Sequence, residues 1–221
     1  MIHIRLTLAA AVSLAVLAAL APFGLVGDAR AEDAKAKNAT AALAAKPVAL
    51  PDMALGPAKA RVTIIEYASM SCPHCAAFEE NVFPMLRSKY IDAGKVRFMF
   101  REFPLDITAA AASLLARCVA NGDAEKYFSA VQQLFKAQDR LMTQATETLH
   151  EIGKQSGMDE QTVDACVKDQ VVLDKLSADK KFAFETLKVD VTPTFFINGE
   201  MIKGAMSFEE LDATLRPLLK R

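Results

Sequence analysis

The pattern of hydrophobic and polar positions predicts alternating strands and helices from residue 61 onward. Arg61–Tyr67 is a β-branched and aromatic run, which is typical of a buried strand. From Pro73 onward the apolar residues recur at helical spacing, and Pro84 inside that pattern should kink the helix. Lys95–Phe103 alternates apolar with mostly basic positions. This alternation predicts a second strand after the helix.

The segment from about 106 to 188 has a different pattern, dominated by Ala, Leu, Glu, Lys and Gln. These residues are good helix formers, and few glycines interrupt them, so we expect a block of helices here. The predicted helices lie near residues 108–120, 124–137, 146–155, 159–168 and 171–187.

Strand signals return near the C-terminus. Thr194–Ile197 and Met201–Lys203 flank Asn198-Gly199, a pair that strongly favours a tight hairpin turn. A last helix is expected over Ser207–Leu219, whose first residue forms a capping box with Glu210. The element order is therefore strand–helix–strand, a helical block, and hairpin–helix. It predicts an α/β fold in which the first two strands are parallel, with a helical domain inserted before the hairpin.

The first 60 residues are predicted to lie outside this fold. A polar start (Met1–Arg5), an apolar run (Leu6–Val26) and the small-x-small triplet Ala29-Arg30-Ala31 are the parts of a cleaved secretory signal over residues 1–31. An uncut membrane anchor is the alternative, because the apolar run approaches spanning length. Residues 32–60 are rich in Ala and Lys, hold three prolines and have few large apolar groups, which predicts a flexible lead.

Charge and cysteine content narrow the function. A formal net charge of −1 over 221 residues gives no indication of a nucleic-acid partner or of another strongly charged one. The four cysteines, Cys72, Cys75, Cys118 and Cys166, all follow the predicted cleavage site. An even number of cysteines in an exported chain favours paired, oxidised thiols.

The motif Cys72-Pro73-His74-Cys75 stands between the first strand and the following helix. A thiolate carries out disulfide exchange, and the unpaired N–H groups of a helix start stabilise an anion at Cys72. His74 can add positive charge or a hydrogen-bond donor. Both effects lower the pKa of the Cys72 thiol and stabilise the reduced form, which makes the disulfide a stronger oxidant. Cys75, one turn deeper, is the expected resolving thiol.

Three other interpretations of this motif compete with redox chemistry. Half of a zinc site would need Cys118 and Cys166 as its second half, and these lack the usual close spacing. Haem attachment needs a histidine directly after the second cysteine, where this chain has Ala76. A purely structural disulfide in so small a loop contributes little loop entropy. We therefore interpret the motif as a redox-active pair that uses neither metal nor cofactor.

Two segments resemble a known family. The run Glu66–Glu80, EYASMSCPHCAAFEE, resembles the active-site region of DsbA, the thiol:disulfide oxidoreductase of the bacterial cell envelope, and Val191–Gly199, VTPTFFING, resembles its cis-proline loop and hairpin. The resemblance extends over residues 61–221 and includes the helical insertion. It implies a thioredoxin fold in which Pro193 is cis and faces the CPHC motif. The backbone around Thr192 would then bind an extended substrate peptide, whereas an ordinary trans proline is the alternative.

The resemblance also implies roles for two carboxylates. Glu66 and Glu79 match acidic positions that line the active site in DsbA-like proteins, where they could carry protons to and from Cys75. A carboxylate on a buried strand is costly unless it is paired, so Arg97 or Arg101 could equally be a structural ion partner of Glu66. Glu79 could simply be a solvated helix residue.

Some relatives of DsbA carry a structural disulfide, and we expect one between Cys118 and Cys166. Both residues fall in the helical block, where the disulfide would join two helices. Two free buried thiols are the alternative, although an exported setting disfavours them.

The resemblance implies a periplasmic dithiol oxidase that donates the Cys72–Cys75 disulfide to exported proteins with cysteines through a mixed disulfide at Cys72. It would act as a monomer and be reoxidised by a membrane partner of the DsbB kind. A disulfide isomerase or reductase that oligomerises through residues 32–60 is an alternative, although this lead lacks a heptad of large apolar residues. A module that holds copper or zinc through the CPHC thiolates is another, and the cis-proline motif weighs against it.

Overall fold

The computed structural model describes Ala44, Lys46 and residues 49–220. The predicted signal peptide and most of the predicted lead fall outside these described residues. Within the described part of the chain, every helix is too short or too polar to cross a membrane.

A five-stranded mixed sheet forms the centre of the described part of the chain. Its strands are β1 (Met53–Leu55), β2 (Val62–Ala68), β3 (Val96–Glu102), β4 (Thr194–Ile197) and β5 (Glu200–Lys203), in the spatial order β1-β3-β2-β4-β5. Strands β2 and β3 are parallel, as the predicted crossover requires, and the other three pairings are antiparallel. The predicted α/β thioredoxin fold with a helical insertion is confirmed.

The helices occur where the pattern placed them, with one addition. In chain order they are α1 (Pro73–Asn81), α2 (Phe83–Leu86), α3 (Ile107–Ala120), α4 (Ala124–Lys136), α5 (Gln138–Thr143), α6 (Ala145–Gln155), α7 (Glu160–Val167), α8 (Gln170–Glu185) and α9 (Phe208–Lys220), with a π-helical turn at Arg87–Ile91. Helix α5 was not predicted, because its six residues bury only Leu141 and so show no apolar period.

The helix after the CPHC motif breaks at Pro84, where a kink was expected. Helix α1 ends at Asn81, and Pro84 lies in the first turn of α2. A proline is tolerated in a first helical turn, because the N–H it lacks would have no partner there. The break therefore costs little, and residues on both sides of it, Phe78 and Phe83, stay in the same core.

The prediction of a flexible lead over residues 32–60 is wrong for the part that forms β1. Met53 and Leu55 are buried against β3. Beside them, the buried guanidinium of Arg101 binds Asp52, with Nε 2.8 Å from Oδ1. A buried charge requires a partner, so this ion pair fixes the segment against the sheet. The Ala- and Lys-rich composition concealed a strand of only three residues.

Helices cover both faces of the sheet. On one face, Ile64 and Phe98 pack with Phe128 of the helical insertion in the main core. On the other face, Ile65 and Tyr67 pack in a second cluster with Ala183 of α8 and residues of the segment after it. Because side chains alternate along a strand, neighbouring residues of β2 belong to different cores, and this decides what surrounds Glu66.

Local signals near the C-terminus are confirmed. Asn198 and Gly199 both have positive φ angles, 48° and 84°, as the tight turn between β4 and β5 requires. The capping box at α9 is formed, since the Ser207 N–H donates to Glu210 Oε2 at 2.8 Å and the Glu210 N–H donates to Ser207 Oγ at 3.2 Å.

A disulfide joins two helices of the insertion. It links Cys118 of α3 to Cys166 of α7, whose Cα atoms are 5.9 Å apart and whose positions are 48 residues apart in the sequence. The bridge restricts the unfolded chain and so stabilises the folded one.

We expect the double variant Cys118→Ser/Cys166→Ser to lose about 2–4 kcal/mol of unfolding free energy, because the cross-link is lost from the unfolded state. Urea unfolding of the oxidised proteins measures the difference. Thiolate titration of the CPHC pair is the control and should stay unchanged. An unfolding free energy equal to that of the parent protein would contradict a stabilising role for this disulfide.

Candidate active site

Strand β2 leads directly into the CPHC motif. Cys72 is the N-cap residue of α1, with an extended backbone (φ −87°, ψ 118°), and Pro73 occupies the first helical position. Both motif cysteines are free thiols, so the structure describes the reduced form. Cys72 is 5% exposed and Cys75 is completely buried. The motif therefore places one sulfur at the start of a helix and the other beneath it.

A loop from the far end of the chain closes over Cys72. The Thr192–Pro193 peptide bond is cis, as the resemblance implied. The Cys72 thiol donates a hydrogen bond to the Thr192 backbone carbonyl at 3.3 Å, across 120 residues of sequence. The fold thus brings the two segments that carry the resemblance into direct contact.

The surroundings of Cys72 lower the pKa of its thiol to about 5. The hydrogen bond from the Cys75 thiol is the largest cause, and burial opposes it. A side-chain hydrogen bond with Thr192 and the backbone N–H groups of Cys75 and His74 lower the pKa further. The His74 ring was expected to lower this pKa as well. In the structure this ring is exposed, and the residue acts through its backbone N–H at the helix start.

Cys75 behaves in the opposite way. Burial raises the pKa of its thiol far above the usual range, and the hydrogen bond to Cys72 and the charge of Glu66 raise it further. Near neutral pH the pair therefore consists of a Cys72 thiolate and a Cys75 thiol. Such an asymmetric pair has one good leaving group and one protonated resolving thiol.

Glu66 lies completely inside the core beneath the cysteines. Burial raises the pKa of its carboxyl well above the ordinary value, and the charges of Glu79 and Cys72 add to this effect. Within the described part of the chain, its Oε2 atom has no hydrogen-bond partner. Such surroundings favour the neutral form of the carboxyl over the charged form, so this group is suited to proton transfer.

Neither arginine considered in the sequence analysis pairs with Glu66. The register places Arg97 beside Thr63 and Arg101 beside Tyr67, positions that alternate with Glu66 and so face the other side of the sheet. Arg101 bonds Asp52 and the Tyr67 hydroxyl there. The alternative of a structural ion pair between Glu66 and Arg97 or Arg101 is therefore wrong.

Glu79 of α1 is also buried, so it is not a solvated helix residue. Burial raises the pKa of its carboxyl to about 7, against the opposing effects of a hydrogen bond from Gln132 and of two nearby cations. Its Oε1 atom has no hydrogen-bond partner among the described residues. Glu79 lines a cavity of about 660 Å³ between α1 and the α4–α5 segment. It can therefore exchange protons near neutral pH.

Gln138, which sequence reasoning missed, contacts the motif from the helical insertion. Its side-chain N–H groups donate to the Met70 carbonyl at 2.9 Å and to the Cys72 carbonyl at 3.1 Å. No local signal could have found it, because a single glutamine among helix formers has no distinctive pattern.

The alternative of a metal site receives no support from the donor groups. In the described ranges, no group of three or more His, Cys, Asp or Glu residues is arranged to hold a metal ion. Cys118 and Cys166 are bonded to each other, so they do not serve as the second half of a zinc site.

We expect alkylation of the reduced protein at Cys72 to follow a thiolate titration with a midpoint near pH 5, as its lowered pKa requires. An ordinary cysteine titrates near about pH 8.5. The Cys72 thiolate adds to the stability of the folded, reduced protein. This contribution is complete above the pKa of the unfolded thiol and is lost as the pH falls through about 5. Cys72→Ser is the control, and a midpoint near that of a free thiol would contradict the activation.

Comparisons with known proteins place the chain in a family. A sequence model described as thioredoxin matches residues 49–216. The putative protein-disulfide oxidoreductase of Rickettsia bellii is 34% identical over 150 residues, which are 67% of this chain and 57% of that protein. The chain thus spans little more than half the length of this relative.

Solved structures agree with the sequence comparison. Wolbachia pipientis alpha-DsbA1 is 31% identical with a TM-score of 0.71, over 78% of this chain and 94% of that one. Oxidised BdbD from Bacillus subtilis shares the fold, with 23% identity and a TM-score of 0.68 over 77% of this chain and 94% of that one. The chain therefore belongs to the thioredoxin family, in its DsbA-like branch.

Proposed function

We propose that this protein is a thiol:disulfide oxidoreductase that donates the Cys72–Cys75 disulfide to substrate proteins. The observation that carries the proposal is the asymmetry of the pair, since Cys72 has a pKa of about 5 while that of the buried Cys75 is raised. A thiolate that is stabilised in the reduced form favours reduction of this disulfide and hence oxidation of the partner. The name of the Rickettsia bellii relative, a putative protein-disulfide oxidoreductase, supports the same chemistry.

The exchange proceeds in two balanced steps. A substrate thiolate attacks Cys72 Sγ of the oxidised pair, which breaks the Cys72–Cys75 bond, forms a mixed disulfide and releases the Cys75 thiolate. The second substrate thiolate then attacks the substrate sulfur of the mixed disulfide and expels Cys72. The low pKa of Cys72 makes it a good leaving group. Two electrons pass from the substrate dithiol to the enzyme pair.

The loop that contains the cis proline would hold the substrate. The Thr192 carbonyl already accepts a hydrogen bond from Cys72, so a peptide bonded to Cys72 would lie along this backbone as an added strand. The exposed apolar side chains of Val191 and Leu105 belong to the loops beside the motif. Partly unfolded proteins with cysteines offer the extended, apolar segments that suit such a surface.

Glu66 and Glu79 would supply the proton that Cys75 needs. Cys75 leaves the first step as a thiolate in a site that strongly disfavours its charge. Glu66 lies close enough for its charge to raise the pKa of Cys75, and it is itself coupled to Glu79. Glu79 lines the cavity between the helices. The two carboxyls therefore offer a route for protons between Cys75 and solvent.

The proposed setting of this activity rests on the predicted signal peptide and on the resemblance to DsbA. A chain exported through a cleaved signal over residues 1–31 would work in the periplasm as a monomer, with a DsbB-like membrane partner to reoxidise it. Residues 49–55 pack on their own domain, where the Ala49 and Leu50 N–H groups bond the Asp179 carboxylate. This packing weighs against an isomerase that assembles through residues 32–60.

The central test replaces the resolving cysteine. In Cys75→Ser the second sulfur is absent, so mixed disulfides at Cys72 should persist and accumulate with exported proteins. Mass spectrometry of the trapped adducts identifies both the substrates and the bonded cysteine. Cys72→Ser is the control and should trap nothing.

Two outcomes would overturn the proposal. If Cys75→Ser that carries glutathione in a mixed disulfide at Cys72 does not exchange that glutathione for the thiolates of reduced protein substrates, the proposed exchange activity is contradicted. Equilibration of the parent protein with glutathione tests the direction, because a potential close to that of thioredoxin, about −270 mV, would indicate a reductase.

Replacing Glu66 with Gln keeps the volume but removes the titrating group. We expect Glu66→Gln to slow the reduction of the oxidised pair by a small dithiol about tenfold or more, since general acid catalysis at Cys75 is lost. Stopped-flow measurements across pH provide the rates. Glu80→Gln, at the exposed neighbour of Glu79 on α1, is the matched control.

The same variant has a signature in stability. Because the pKa of Glu66 is raised in the folded protein, the parent loses stability as the pH rises above about 4.5, the ordinary range of a glutamate carboxyl. Glu66→Gln should therefore be more stable than the parent at pH 8 and similar to it at pH 4. Equal reduction rates in Glu66→Gln and Glu80→Gln would exclude the relay.

A further inference from the structure

Gln138 connects the helical insertion to the reactive cysteine. It is the first residue of α5, and its single amide nitrogen donates to the carbonyls of both Met70 and Cys72, at 2.9 and 3.1 Å. Cys72 is 66 residues away in the sequence. One amide nitrogen can serve two carbonyls only where both converge on it. These two bonds therefore restrain the loop on both sides of Ser71.

The carbonyl of Cys72 has a specific place in the site. It accepts the backbone N–H groups of Cys75 and Ala76, both at 3.1 Å, and so begins the hydrogen bonding of α1. The N–H groups of His74 and Cys75 in the same turn stabilise the Cys72 thiolate. The Cys72 carbonyl and these N–H groups belong to the same turn. A hydrogen bond that fixes the carbonyl therefore also fixes the direction in which the N–H groups point towards the sulfur.

The interruption between α4 and α5 places this side chain. Helix α4 ends at Lys136, and Ala137 has a backbone conformation (φ −95°, ψ 12°) outside the regular helix before α5 starts at Gln138. A continuous helix would rotate residue 138 by a regular 100° step from its neighbour. With the break at Ala137, the Gln138 side chain is oriented so that its amide reaches the loop of Met70 and Cys72.

Gln138 borders a cavity and is not part of the close-packed core. Gln138 is half-buried and lines the cavity of about 660 Å³ that also borders Ala76 and Glu79. Removing its amide therefore takes away two hydrogen bonds without opening a void in close-packed core, which is the usual cause of large losses of stability.

We propose that Gln138 is a positioning residue through which the helical insertion sets the stability of the Cys72 thiolate, and with it the reduction potential of the pair. The effect of Gln138 on the reduction potential of the pair rests on the proposed exchange function, whereas its effect on the Cys72 thiolate does not. Without the amide, the turn at the start of α1 holds its N–H groups less firmly towards Cys72 Sγ. The thiolate is then less stable, and the disulfide is a weaker oxidant.

The test is Gln138→Met, which keeps the length of the side chain and introduces no charge while removing both N–H donors. We expect the midpoint of the Cys72 thiolate titration, followed by ultraviolet absorbance, to rise by about one pH unit. A shift of one unit is a tenfold change in thiolate stability, so the equilibrium constant with glutathione should move about tenfold towards the oxidised enzyme.

The matched control is Gln133→Met on α4. It makes the same chemical change at a glutamine whose amide donates to Ser129 at 3.4 Å, away from the loop. Its titration and glutathione equilibrium should remain those of the parent. Gln138→Asn is the second variant, because it keeps the amide but shortens its reach, and it should shift the titration in the same direction if Gln138→Met does not fold.

A purely structural role would give a different result. If both Gln138 variants lower the thermal midpoint of unfolding while the Cys72 titration and the glutathione equilibrium stay unchanged, the proposal is overturned. Failure of the proposed function is recognised separately. In that case the Cys75→Ser protein forms no mixed disulfides, while the Gln138 variants still shift the titration.

Discussion

The hydrogen bonds at the sulfur of Cys72 depend on two distant parts of the chain. The first turn of α1, which includes Cys75, supplies N–H and S–H donors, and Thr192 in the loop before β4 adds a side-chain hydrogen bond. The Thr192 carbonyl, 3.3 Å from the sulfur, accepts a hydrogen bond from the protonated thiol. A thiolate at the end of a buried strand would otherwise be poorly solvated. The site therefore requires that a short loop, residues 69–72, connects β2 to α1, and that β4 lies beside β2 so that the loop before β4 meets the motif.

The buried carboxylates differ in how completely they are hydrogen-bonded. Glu102 is buried, yet Arg117 binds both of its oxygens at 2.6 and 2.7 Å and the Tyr127 hydroxyl donates at 2.6 Å. All of these contacts are structural, because they join β3 to two helices of the insertion. Glu66 and Glu79 each leave an oxygen without a partner in the described part of the chain, and their pKa values are raised. Groups of this kind are suited to proton exchange.

The helical insertion therefore does more than cover the sheet. It contributes Phe128 to the main core, Gln132 to the hydrogen bonding of Glu79, and Gln138 to the loop around Cys72. The disulfide between Cys118 and Cys166 lies within the same insertion. The rigidity of the insertion is thus connected, through packing and hydrogen bonds, to the position of the reactive sulfur and of the carboxyl groups beneath it.

The sequence by itself determined the order of the elements, the hairpin turn, the capping box and the place of Cys72 at a helix start. These features depend on local periodicity and on the backbone preferences of a few adjacent residues. Only the tertiary structure decided that Arg97 and Arg101 face away from Glu66, that Met53–Leu55 joins the sheet, and that Gln138 bonds the loop before α1. Each of these depends on contacts between residues far apart in the chain, whose register and distance no local pattern specifies.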